Sequence, residues 1–237
     1  MKSNYMKQKI KLSSVAVILF VLAFHKAKAQ VTAQDGRTYK TVKIGNQIWM
    51  AENLSVSTYR NGDSILYKQE KGKKPKFKLN IGWQSMSKGA WCYYETEKGI
   101  DTTYGKLYNW LAVNDSRGLA PEGWHIPTSE EWKQLGEFLG GKDTAGFKLK
   151  STKGWEENGN GTNESGFNGF PAGIRSDVGV FYGKGYSAFW WTSSRIIGML
   201  AYYCALHYLN STFFYKHNIS NNNIVGLFGF SVRCIKD

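Results

Sequence analysis

Hydrophobic positions recur with helical spacing most clearly in GWHIPTSEEWKQLGEFLGG, Gly123 to Gly141. Trp132, Leu135 and Leu139 fall on one face with Phe138 beside them, while Glu130, Glu131, Lys133, Gln134 and Glu137 take the other faces. The pattern predicts an amphipathic helix docked on an apolar surface. Thr128 is placed to accept from the N–H of Glu131, and Glu131 to reach back to the N–H of Thr128, which together form a capping box. Gly140 and Gly141 offer left-handed geometry at the other end, and Glu130 and Glu131 sit where the helix dipole favours negative charge. A second helix is predicted from Tyr104 to Asn114, with Tyr104, Leu107, Tyr108 and Leu111 on one face and Thr102 or Thr103 as its cap.

Elsewhere the period is two. Tyr39 to Ile44 and Gln47 to Glu52 read as strands joined at Gly45-Asn46, a pair suited to a two-residue hairpin turn. Further strands are predicted at Ala90 to Tyr94, Phe147 to Ser151, Val180 to Tyr182, Ala188 to Ser193, Ala201 to Leu209, Thr212 to His217 and Phe228 to Ile235. A hairpin, then helices, then a strand-rich half argues α+β rather than alternating βαβ units.

Residues 1 to 29 have the form of an export signal: Lys2, Lys7, Lys9 and Lys11 precede an apolar run from Leu12 to Phe24, and Ala27-Lys28-Ala29 is an A-x-A cleavage site before Gln30. The run is shorter than the roughly 20 residues that span a bilayer, so cleavage is expected, with no transmembrane segment left. No Cys follows the site to take a lipid. The expected location is secreted, periplasmic or at the cell surface. Removing the leader takes six of the 31 basic residues and none of the 18 acidic ones, so the remainder carries 25 minus 18, or +7. Much of that surplus lies in YKQEKGKKPKFKLN, from Lys68 to Lys78, a solvated loop or a weak anion-binding run. Export removes nucleic acid as a partner. The remaining 208 residues (237 minus 29) suffice for one core and contain no linker, so 30–237 reads as one domain; 26 glycines and 15% aromatic residues fit many short strands.

Six ordered blocks, DGRTYKTVKIGNQIWMAENL, WCYYE, YGKLYNWLAV, GWHIPTSEEW, GFNGFPAGIR and GFSVRC, resemble the Fibrobacter succinogenes major paralogous domain, a family of secreted bacterial proteins. WHIPTSEEW is also similar to the start of a framework helix in the C-type lectin-like and formylglycine-generating-enzyme-like folds. That resemblance implies two helices flanking a small antiparallel sheet, with long irregular loops in the second half carrying any binding site. Here those loops are Gly154 to Arg175 and the turns around Gly183 and Arg195. Alternation places Cys234 on the strand face of Phe230 and Val232, pointing inward, and the expected disulfide joins Cys92 to Cys234 because both lie in blocks that resemble family framework segments; Cys204, on the face of Tyr202, Leu206 and Tyr208, reads as a small buried hydrophobe.

Motifs for catalysis are missing. There is no GxSxG turn, no CxxC and no pair of histidines at i, i+4, so the chain does not read as an enzyme. The formylglycine-generating oxidases need a late cysteine pair after an Arg-Gly-Gly-Ser-Trp segment, which this chain lacks. No cofactor is expected. The loop WEENGNGTNESGFNG gathers side-chain oxygens from Glu156, Glu157, Asn158, Asn160, Thr162, Asn163 and Glu164, a polar turn-rich loop or a weak calcium site. Trp49, Trp91, Trp110, Trp124 and Trp132 fall in framework blocks and read as core. Trp155, Tyr182, Tyr186 and Tyr203 sit in or beside the loops, where flat rings can face sugars. The expected function is therefore non-catalytic binding of carbohydrate or another surface ligand through Trp155, Asn158, Asn160, Asn163, Glu164, Tyr182, Tyr186 and Arg195. The rival is a structural or adhesive surface component in which the same loops contact protein. His125, between Trp124 and Ile126, reads as a packed histidine bonded to backbone.

Overall fold

The computed structural model describes residues 29–68, 83, 86–96, 99–197, 200–217 and 227–237. Residues 1–28, nearly all of the expected export signal, and all of the lysine-rich run beyond Lys68 lie outside the described residues. The chain begins with β1 (Gln30–Thr32), β2 (Thr38–Ile44), β3 (Gln47–Met50), β4 (Leu66–Tyr67), β5 (Ala90–Cys92), β6 (Tyr94–Thr96), β7 (Gly99–Asp101) and β8 (Leu107–Tyr108). Then come α1 (Trp110–Val113), β9 (Trp124–His125), α2 (Ser129–Phe138) and α3 (Ala145–Leu149). The last third holds β10 (Ala172–Arg175), β11 (Phe181–Lys184), β12 (Ser187–Ile197), β13 (Leu200–His207), β14 (Phe213–His217) and β15 (Ile235–Lys236).

This architecture corrects the α+β, C-type lectin-like expectation. Among the described residues strand far exceeds helix and lies in several small sheets, and only α2 among the helices is longer than five residues. Two helices do not flank one sheet. The predicted helix from Tyr104 is cut by Gly105, whose φ of 85° is left-handed, and by β8; only one turn survives, capped by the Asn109 carboxamide, which accepts from the N–H of Ala112. The predicted strand at Phe147 is instead the end of α3. Its Gly146 lies against the carbonyl of Ser211, where a Cβ would come within 2.4 Å. The predicted strand Phe228 to Ile235 makes isolated bridges from 229 to 231 and regular pairing only at β15. Residues 154–175, expected to be irregular, end in β10.

The largest sheet runs β1-β2-β3-β15-β9, antiparallel throughout. It joins the N-terminal hairpin to the last strand and to the entry of α2. The second sheet is the antiparallel meander β12-β13-β14, with irregular register between Trp191 and Arg195. Helix α2 bridges the two sheets. Its Trp132 is fully buried, with ring centroids of Trp49, Phe167, Trp190 and Phe213 at 4.6, 5.8, 6.0 and 6.0 Å. Gly136 lets the helix lie flush on β14, since a Cβ there would meet the Phe213 ring at 3.1 Å. A second cluster gathers Trp110, Trp191, Tyr203 and Phe230 on the other side of the meander.

Arg233, wholly buried, ties the 167–168 segment to the first sheet. Its guanidinium donates to the carbonyls of Met50 and Phe167 and to Asn53 Oδ1, while stacking 4.2 Å from the Phe167 ring. Burial draws its pKa down to about 9. The expected disulfide is not formed. Cys92 lies in a small cluster with Trp83, Ala90 and Leu107, whereas Cys234 lies in the main core, and all three cysteines are buried without a bridge.

Candidate functional site

Trp155 is core. It is 4% exposed, its indole N–H donates to Ser151 Oγ and the Gly169 carbonyl, and it packs with Leu149, Phe167 and Leu206. It presents no face to a sugar, which corrects its place in the expected binding set. Tyr203 is likewise buried, at 3%.

The asparagines serve the turn. Asn158 and Asn163 hold left-handed φ of 61° and 51°; Asn160 Oδ1 accepts from the N–H of Trp155, and Asn163 Oδ1 from that of Asn168. Asn158 and Asn160 remain exposed, and Glu164 lies 3.9 Å from Lys148 Nζ in an exposed ion pair. Among the described residues no three His, Cys, Asp or Glu side chains gather as metal ligands would. Arg195 is exposed but remote: it pairs with Ala201 near the far end of β12, about 26 Å from Ser187 at the usual strand rise.

Tyr182 and Tyr186 are exposed, at 48% and 41%. Tyr186 stands in the turn between β11 and β12, edge-on to Tyr208 with centroids 5.1 Å apart. Backbone bonds hold the turn on every side: Tyr186 donates to Gly183, Gly185 to Pro171, Glu156 to Gly185 and Tyr208 to Tyr186, all between 2.9 and 3.0 Å. Beneath it the buried Lys150 ammonium donates to the carbonyls of Tyr208 and Asn210 and lies 4.8 Å from the Trp155 ring. Burial pulls that amine down to about 8. His207, next to this pair, is held below its ordinary value by burial first and by Lys150 second.

A shallow cleft of about 700 Å³ opens beside the same turn, lined by Thr96, Ile100, Asp101, Thr102, Thr103 and Lys184. Lys184 pairs with Asp101 across it, with side chains 29% and 17% exposed. The Asp101 carboxylate also accepts from the N–H of Thr103 at 2.8 Å, and the Lys184 ammonium lies 5.6 Å from the Tyr104 ring, itself stacked on Phe170. These hydroxyls, one carboxylate and one ammonium can exchange hydrogen bonds with a polyol. Sequence reading missed the cleft, taking Thr102 and Thr103 as helix caps. Only the tertiary pairing of β6–β7 with β10–β11 makes Asp101 and Lys184 neighbours.

His125 is not bonded to backbone as expected. Its Nδ1 lies 2.6 Å from an Asp237 carboxylate oxygen and its Nε2 2.9 Å from Glu131 Oε1, while Glu131 Oε2 takes the Thr128 N–H and hydroxyl. Burial works against the charged ring, and the two carboxylates outweigh it, so His125 titrates above its usual value.

The molecule is thus a β-rich protein, built from small sheets around a tryptophan core, with exposed aromatic and polar groups around one turn. The model of the Fibrobacter succinogenes major domain matches residues 42–236, and the chain belongs to that family. No curated protein and no solved structure matches the chain. Among the described residues, no helix is long and apolar enough to cross a membrane.

Proposed function

We propose that the protein is exported and acts by binding carbohydrate at the surface around the β11–β12 turn. The observation that carries this reading is the exposed Tyr186, held edge-on to Tyr208 by a fully hydrogen-bonded turn beside the Asp101–Lys184 cleft. Sugars present C–H faces to aromatic rings and hydroxyls to polar groups, and a rigid aromatic beside hydroxyls and charges offers both. Export rests on the basic start, the apolar run and Ala27-Lys28-Ala29.

The test uses the chain from Gln30 to Asp237 on a glycan array. Tyr186→Ala is expected to lose at least tenfold in affinity for whichever glycan is retained, with an unchanged melting temperature. Equal binding by the variant places the site elsewhere. Mass spectrometry of envelope and medium fractions is expected to find an N-terminus at or very near Gln30, and recovery of the intact chain from Met1 in the cytoplasm overturns export. Leu209, 70% exposed beside Tyr208, favours a second reading in which this surface contacts a protein of the cell envelope. Crosslinking in whole cells tests it: envelope proteins captured through this surface, with no glycan retained on the array, favour that reading.

A further inference from the structure

Resting on the carbohydrate reading, we infer that the cleft and the tyrosine pair are two adjacent subsites for one ligand, an interior stretch of a neutral polysaccharide. The ligand is not a free monosaccharide. The two places are joined by the chain itself: Lys184 lines the cleft, Tyr186 bears the ring, and Gly185 alone lies between them. Two residues of extended chain span at most about 7 Å, so the polar and aromatic groups lie within reach of successive sugars.

Glu156 connects them a second time. It is exposed, its N–H donates to the Gly185 carbonyl, and its side chain lies so close to Gly185 that a Cβ there would come within 2.7 Å of Glu156 Cγ. It also acts electrostatically on Tyr104, whose ring borders the Lys184 ammonium. Farther along the same loop, Gly159 sits flush against Tyr208, where a Cβ would meet Tyr208 Cβ at 2.8 Å. Asp101, Lys184, Glu156, Tyr186 and Tyr208 are therefore gathered around one point of the backbone, the buried Gly185.

Charge decides which polymer fits. Asp101 and Lys184 cancel each other, and Glu156 is offset by the Lys150 ammonium beneath the turn, so the surface carries no net charge. A uronate or sulfated chain finds no net positive charge there to hold it, whereas the carboxylates can accept from neutral hydroxyls and the Lys184 ammonium can donate to ring or hydroxyl oxygens. A shallow open cleft also admits one segment of a longer chain.

Calorimetry with ladders of cello-, xylo-, manno- and malto-oligosaccharides of one to six sugars tests this, with polygalacturonate as the anionic control. The expected result is one ladder whose affinity rises at least tenfold from one sugar to four and then levels, with no binding of polygalacturonate. Lys184→Met, whose side chain is partly exposed, is expected to flatten the rise while sparing the weak binding of the shortest member, and Tyr186→Ala to weaken every member. Length-independent binding, or a rise that survives Lys184→Met, overturns the two-subsite inference and leaves the carbohydrate reading standing. Preferential binding of polygalacturonate overturns its neutral-ligand part. Absence of binding by every ladder and by the glycan array overturns both.

Discussion

At the scale of the residue, Trp155 shows how burial reverses an expectation drawn from loop position. Its ring packs in the same core cluster as Trp132 and its N–H is bonded twice, so Trp155→Ala is expected to cost about 3 to 5 kcal/mol, read as a fall in the urea midpoint. A variant as stable as the parent shows that the ring does not pack there. His125 makes a pH-dependent contribution. Its folded pKa is raised, so the folded state binds the proton more tightly than the unfolded chain does. The stabilisation is present in full below the unfolded value of about 6.5 and is lost as pH rises through the folded value. Urea midpoints are expected to fall across that window, and His125→Gln to remove this part of the slope. The sequence placed His125 beside its capping box, but its second carboxylate partner is 112 positions away in Asp237, a contact no local pattern announces.

Among the elements, α2 was the most legible because its signals are local. The Thr128 side chain accepts from the N–H of Glu131 at 3.2 Å and Glu131 returns the bond at 2.8 Å, as the spacing predicts. Thr128→Ala is expected to cost about 0.5 to 2 kcal/mol by thermal melting, with Glu131→Ala similar or larger because it also frees His125. Identical melting of parent and Thr128→Ala would remove the cap from the account. The β2–β3 hairpin was legible for the same reason, its Gly45 holding φ at 60°. The segments read wrongly lack a local signal strong enough to decide. Tyr104 to Asn114 has helical apolar spacing, yet Leu107 and Tyr108 are claimed by β5 and by Phe230, neighbours from distant parts of the chain. Five residues at Ala145–Leu149 are too few for period two and period 3.6 to be told apart.

For the molecule as a whole, the long-range pairings that close the first sheet bind the N-terminal hairpin to the last strand, so unfolding there is expected to be cooperative with the core. Burial raises the Cys204 and Cys234 thiols well above their usual range, which suppresses the reactive thiolate. All three cysteines are therefore expected to resist Ellman's reagent in the native protein and to react on unfolding, with reductant leaving the melting temperature unchanged. Fast labelling of the folded chain, or a melting temperature lowered by reductant, contradicts this.

Sequence alone determined the family, the capped helix, the first hairpin, the meander strands of the last third and the tryptophan-rich core, because each is written in spacing, turn residues or an ordered motif within a few positions. It did not determine the architecture. Short strands of two to four residues carry too little pattern to declare their partners, and their pairing is set by which distant edges meet once the tryptophans pack. Nor did it determine the candidate site. Asp101 and Lys184 are 83 positions apart and lie in a cleft only because β6–β7 and β10–β11 pack together, while Trp155, identical in type to an exposed sugar-facing ring, is drawn inward because α3 and the meander leave a volume that only a large apolar side chain fills.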